Sequence, residues 1–151
     1  MFDFANWVCG APVRVLAAAL PAPPDVASVE SASVTIEYAD GSVATVHYSG
    51  VGAGAMPKER IEVLRGGRSW VLEDFTSLTS YGPDGEHVET SARQDKGHAT
   101  LLAGVVKACR KGAPLEPGLA AAYAAQNVAL AALESISGAR AVDVVAPAAP
   151  T

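Results

Sequence analysis

The chain has 151 residues, half of them hydrophobic and 18% charged, which fits one ordinary soluble globular domain able to bury a real core. Its net charge of −5, with Lys and Arg scattered rather than clustered, gives no electrostatic reason to expect DNA or RNA as a partner. Cys9 and Cys109 stand far apart, with no C-x-x-C and no neighbouring His, as reduced thiols of a cytoplasmic protein do; a disulfide framework or a zinc site would look different.

Residues Phe2 to Val8 read as the last turns of a helix, closed by Gly10 and stopped by Pro12. Their two Phe and a Trp form an apolar opening that needs a surface to lie against. The opening is not expected to be a signal peptide: Asp3 sits where a positive segment should be, and Arg14 interrupts the apolar stretch. Val13 to Ala18 is a candidate strand, and "PAPPDVASVE" a Pro-rich surface connection.

"VTIEYADGSVATVHY" places Asp40-Gly41 between two alternating runs, the signal of a two-residue hairpin. That turn pairs Tyr38 with Val43 and Ile36 with Thr45, and leaves Thr35, Val46 and Tyr48 on the opposite face. "RIEVLRGGRSWVLEDF" repeats the pattern around Gly66-Gly67, with Val63 opposite Trp70 and Ile61 opposite Leu72. A third hairpin turns at "YGPDGE", between Thr76–Tyr81 and His87–Ala92.

The period then changes. From Ala99 to Lys111, Leu101, Leu102, Val105 and Cys109 recur at helical spacing, and Gly112 with Pro114 ends the run. A second helix is expected from about Gly118 to Gly138. Leu119, Tyr123, Leu130 and Leu133 form one stripe, and small apolar residues cover much of the rest. A helix apolar all round is expected to be buried on two sides. Gln126, Asn127 and Glu134 interrupt it too often for a membrane span of ~20 residues. The layout is α+β: an antiparallel-rich open sheet with helices packed on one face. The other face carries enough apolar side chains to want a partner, so a homo-oligomer is expected. Residues 1–144 form the domain, and 145–151 a flexible tail.

Three segments bear on chemistry. "GVGAGA" at Gly50–Ala55 imitates a dinucleotide fingerprint, but that fingerprint needs a helix start directly after its glycines. Here Pro57 and another strand follow, so a plain inter-strand loop is expected. "PKER" puts Lys58, Glu59 and Arg60 at the mouth of a strand. It reads either as a solvated turn or as a polar cluster facing a hydroxylated ligand, with Glu59 accepting and Lys58 donating hydrogen bonds. In "QDKGH", Asp95 is a natural N-cap and Gly97 permits close backbone approach. Beyond capping, Lys96, His98 and the free amides of the helix start could bind an anion or a sugar hydroxyl. No Walker A sequence, G-x-S-x-G elbow or metal-ligand cluster occurs in the sequence.

"VTIEYADGSVATVHYSG", "MPKERIEVLRGG", "EDF", "DKGH" and "ESISGARAV", in this order and spacing, resemble the C-terminal half of the Gfo/Idh/MocA oxidoreductases, among them members acting on sugars or inositols. The resemblance spans Met1 to about Val144. It implies an α+β domain that follows a Rossmann domain for NAD or NADP in the full-length enzyme, and whose open sheet often mediates oligomerisation. It also implies an H-x-x-D helix between the two domains, with the His in proton transfer and the Asp positioning a Lys from the Rossmann half. Asp3 falls on that Asp, and the His would precede Met1; the family's Asp-Asn before the first hairpin is Ser31-Ala32 here. The implied function is the C-terminal domain of an NAD(P)-dependent sugar or polyol oxidoreductase, cytoplasmic and inactive without its dinucleotide-binding half. Two other readings stand beside it: a non-catalytic assembly or ligand-binding module, and half of an enzyme completed in trans by a separate Rossmann protein.

Overall fold

In the computed structural model the described residues are 1–21, 29–112, 114–115 and 117–144. The expected tail at 145–151 and most of the Pro-rich connection lie outside them. The described residues divide into two compact units: one runs Met1–Gly52 and resumes at Leu115, and the other is Ala53–Pro114.

In the first unit, helix α1 (Phe2–Cys9) is followed by strands β1 (Pro12–Ala19), β2 (Ser31–Tyr38) and β3 (Val43–Ser49). Helix α3 (Leu119–Gly138) and the two-residue strand β8 (Val142–Asp143) complete it. The antiparallel order is β3-β2-β1-β8. Val15, Ala17, Val34, Ile36 and Val142 point to one face and meet Val128, Ala131 and Ala132 of α3. Every buried residue among those described belongs to this unit.

The first hairpin departs from the expected register. Ile36 pairs with Ala44, Val34 with Val46 and Ala32 with Tyr48. Tyr38 N–H donates to Ser42 O and Gly41 N–H to Tyr38 O, both at 3.0 Å, so the loop holds three residues, not two. Gly41, at φ 85°, takes the left-handed place such a loop requires. A one-residue slip moves a whole strand face. Val46 and Tyr48 therefore share a face with Ile36, Tyr48 at its exposed rim, and the outer face is mostly polar, carrying Thr35–Thr45, Ser33–His47 and Arg14–Glu37 beside exposed Leu16 and Val43.

Helix α3 also differs from expectation. Its small residues, not its large ones, lie on the sheet: Val128, Ala131, Ala132 and Ser135 are buried, while Leu119, Tyr123, Leu130 and Leu133 are exposed. Small side chains let the helix axis approach β1 closely, which a leucine stripe would prevent. By length and composition alone α3 could cross a membrane, against the expectation from its polar interruptions; here it packs on β1 and α1. Ser135 joins the layers. Its Oγ accepts from Ala17 N at 2.8 Å and donates to Arg140 O at 2.6 Å. Strand β8 reaches only Arg14 and Val15, so the hydroxyl satisfies the next inward amide of β1.

Helix α1 is tied down by Tyr38, whose hydroxyl donates to Asn6 Oδ1 at 3.2 Å. Phe2 and Cys9 pack partly against the core, whereas Trp7 is 81% exposed with Phe4 tilted against it.

The second unit holds β4 (Arg60–Arg65), β5 (Arg68–Glu73), β6 (Ser77–Gly82), β7 (Gly85–Thr90) and α2 (His98–Lys111). The four strands form an antiparallel meander. The register around Gly66-Gly67 is the expected one, with Val63 opposite Trp70 and Ile61 opposite Leu72. These four side chains are half-buried on one face. None of α2's residues is buried, including the Leu101, Leu102, Val105 and Cys109 stripe. The α+β, antiparallel layout holds, with its strands shared between two sheets.

Candidate functional site

Two open grooves occur in the second unit. One, of about 490 Å³, is lined by residues of α2 alone and is a helix surface rather than a site. The other, of about 450 Å³, brings together the segment Gly54–Lys58 with Asp74, Gln94 and Lys96. It gathers both polar segments singled out above.

The cleft stands at the end of the sheet. The β4–β5 ladder continues one rung past Arg60 and Glu73, where Asp74 N–H donates to Glu59 O at 2.7 Å. Two acidic residues are thus cross-strand neighbours, a placement that repels unless cations or donors intervene. The segment before α2 supplies them. Lys96 Nζ pairs with Glu59 Oε1 at 2.5 Å. Gln94 Nε2 donates to Asp74 Oδ1 at 2.8 Å and to Asp74 O at 2.9 Å. Gln94 and Lys96 thus each hold one acid.

The Glu59–Lys96 pair is the most enclosed ion pair of the described residues, with side chains 24% and 30% exposed. The Lys96 hydrogen bond holds the Glu59 carboxyl below the usual carboxylate range, against the opposing effect of desolvation. Glu59 Oε2 is buried without a hydrogen-bond partner. Glu59 is therefore a wall residue committed to Lys96, not the free acceptor its sequence position suggested. Lys58 lines the cleft, is exposed, and has no carboxylate within ion-pair range among the described residues. Arg60 is engaged elsewhere, between Glu62 and Glu73.

Asp95 does not cap α2. The N-cap is Gly97, and Asp95 Oδ1 instead accepts from Gly97 N at 2.8 Å. Gly97 is required by its φ of 76° rather than by close approach, since a Cβ there would meet nothing within 4 Å. His98 opens α2, exposed and away from the cleft lining. Asp3 lies exposed in the first turn of α1, where a carboxylate suits the helix dipole.

Asp74, Phe75 and Gln94 were not among the expected site residues. Glu73–Thr76 is a tight turn closed by Thr76 N–H to Glu73 O at 2.9 Å, and its central residues Asp74 and Phe75 have φ of 48° and 56°. Asp tolerates that region; Phe there is strained, at about 1–3 kcal/mol. The Phe75 ring centroid lies 5.7 Å from Lys96 Nζ.

A dinucleotide does not fit the "GVGAGA" loop. No helix follows it: β4 begins at Arg60. Gly50 is accounted for by Glu30 O, which a Cβ would meet at 2.9 Å, while Gly52 and Gly54 line open space. Among the described residues no group of three His, Cys, Asp or Glu could hold a metal ion.

No protein-family model matches the sequence, and no curated protein does. Solved structures match it in fold. An oxidoreductase from Agrobacterium radiobacter, solved with NAD+, L-tartaric acid and magnesium, superposes with a TM-score of 0.80 at 18% identity, over 95% of this chain and 46% of that one. A levoglucosan dehydrogenase in complex with NADH gives 0.74 at 18%, over 95% and 47%. The UDP-N-acetylglucosamine 3-dehydrogenase from Acidithiobacillus ferrooxidans gives 0.68 at 21%, over 90% and 43%. At such identities the likeness is one of fold. The chain spans less than half the length of these proteins.

Proposed function

We propose that the chain is the substrate-side, C-terminal domain of an NAD(P)-dependent sugar or polyol oxidoreductase, and that the Lys58–Asp74–Gln94–Lys96 cleft is its hydroxyl-binding surface. The observation that carries this reading is the coincidence of that fold with an open polar groove where Lys58, Asp74, Gln94 and Lys96 converge. The cleft offers what a hydroxylated ring needs: a free ammonium on Lys58, the remaining N–H groups of Lys96, and acceptors on Asp74 and Gln94. NAD or NADP would supply hydride acceptance from a separate dinucleotide-binding domain, in cis or in trans, and this chain alone would be inactive. Asp3, exposed on α1, would help place a lysine of that domain; His98 has no role at the cleft.

The test is titration of the purified, isotope-labelled chain with myo-inositol and D-glucose, following backbone amides. Shifts confined to residues 54–58, 74 and 94–96 are expected at concentrations of order tens of millimolar, where a site worth only about 2–3 kcal/mol fills. No shifts there, or shifts elsewhere, would overturn the reading.

Self-association belongs to the same reading, but on the second sheet. Leu64, Val71, Tyr81 and Val88 share the face opposite Ile61 and Leu72, and all but Val71 are exposed. Val88→Glu should then convert an oligomer to monomer in sedimentation without unfolding it; a wild-type monomer would remove the proposal. Cys9 and Cys109, neither of them in a disulfide among the described residues, suit a cytoplasmic setting.

A further inference from the structure

We propose that Phe75 is a positioning residue: from a backbone held in the left-handed region, its ring fixes the Lys96 ammonium at the wall of the cleft. This rests on the reading of the cleft as a ligand site, and it concerns a residue that reading does not use.

At the other hairpin turns of the described residues a positive φ falls on glycine: Gly41, Gly66, Gly67 and Gly85. Glycine adopts such angles without steric penalty. Only the Glu73–Thr76 turn places two side chains there, Asp74 and Phe75. Geometry alone would be better served by glycine, so the side chains are what the position retains. Asp74 accepts from Gln94. Phe75 is half-buried, and its ring lies 5.7 Å from Lys96 Nζ, within the range at which an ammonium is attracted to an aromatic face.

Lys96 needs that second hold. A lysine side chain has four rotatable bonds and a strongly hydrated head, and one carboxylate contact leaves it free to swing. Glu59 draws the ammonium from one side and the ring takes it from another, which leaves Nζ little freedom and aims its remaining N–H groups. Strained backbone gathers where a side chain must be held for function.

The experiment compares wild type with Phe75→Leu, which keeps apolar bulk and loses the ring, and with Phe75→Tyr, which keeps both. Two readouts are taken: ring-current shifts of the Lys96 methylene next to Nζ by NMR, and the affinity for myo-inositol. Upfield Lys96 signals are expected in wild type and Phe75→Tyr and lost in Phe75→Leu, with inositol affinity lowered about two- to fivefold in Phe75→Leu alone, the range a surface cation–π contact supports. The melting temperatures of the three should stay close, because a purely structural ring would lower stability and leave the Lys96 signature unrelated to affinity. Unshifted Lys96 signals in wild type, or equal inositol affinity in wild type and Phe75→Leu, would sink the proposal and leave the cleft reading standing. Inositol bound by none of the three would sink both.

Discussion

Raising the pH isolates one buried contact of the first unit. Tyr38 is 3% exposed, and desolvation, with the neighbouring Cys9 adding to it, pushes its hydroxyl from 10.0 up to about 12. The folded state therefore resists losing a proton that the unfolded chain gives up near 10. Stability from this group is whole below pH 10 and is lost as the pH climbs from 10 towards 12. Two pH units at 1.36 kcal/mol each make that loss about 2.7 kcal/mol. Tyr38→Phe removes the titration and also the hydrogen bond to Asn6, which costs about 1 kcal/mol at neutral pH. Wild type should thus be more stable at pH 7, and the two curves should cross at roughly pH 10.5–11, where the growing ionisation penalty equals the lost bond. Urea unfolding followed by far-ultraviolet circular dichroism, at steps from pH 7 to 11.5, measures both. Lysine and arginine titrations affect the two proteins equally and drop out of the difference. A constant offset across the whole range would refute the reasoning, since it would mean that Tyr38 ionises in the folded protein as readily as in the unfolded chain.

Three further outcomes follow from the same structure. Ser135→Ala should lower unfolding stability by about 1–3 kcal/mol, because it strands the Ala17 amide and the Arg140 carbonyl; chemical denaturation checks it, and an unchanged midpoint would contradict the bridge. Val46→Glu should destabilise the fold by about 1–3 kcal/mol because it puts a charge on the core face, while Thr45→Glu on the outer face should stay within about 0.5 kcal/mol; equal melting temperatures for the two would restore the other register. Glu59 has a lowered pKa, so its pairing with Lys96 stabilises fully above 4.5 and is lost as the pH falls through the lowered value. Melting temperatures of wild type and Glu59→Gln should therefore differ above 4.5 and converge in stronger acid, and an offset that persists there would count against the ion pair.

Most elements were legible because their signals are local. Gly66-Gly67 between alternating runs fixed that hairpin to the residue, and Gly112 with Pro114 marked the end of α2. The first hairpin slipped by one residue because Asp40-Gly41 serves a two-residue and a three-residue loop equally well. What separates them is the Tyr38–Ser42 backbone pairing, which no composition encodes. The α3 stripe misled for a different reason: hydrophobicity ranks Leu130 above Ala131, but closeness to β1 favours the smaller side chain. At the cleft, Lys58, Glu59 and Lys96 were visible as charges, yet their pairing was not. Phe75 entered only as the end of the family-like "EDF", since nothing in "EDFTS" announces a turn whose centre is a phenylalanine.

The buried cluster joins Ala5, Val15, Val34 and Ile36 to Val128, Ala131, Ala132 and Val142, with the whole of the second unit between them in the chain. This has a consequence during synthesis. The first sheet leaves the ribosome before the second unit is made, but the helix that covers it is made only after that unit. At about 5–20 residues added per second, the apolar face of β1–β3 waits roughly 5–20 seconds for α3. Over that interval Val15, Val34 and Ile36 are open to chaperones and to neighbouring nascent chains. Slow codons between β3 and α3 would lengthen the wait and lower the soluble yield, whereas the same codons placed after Val142 would not.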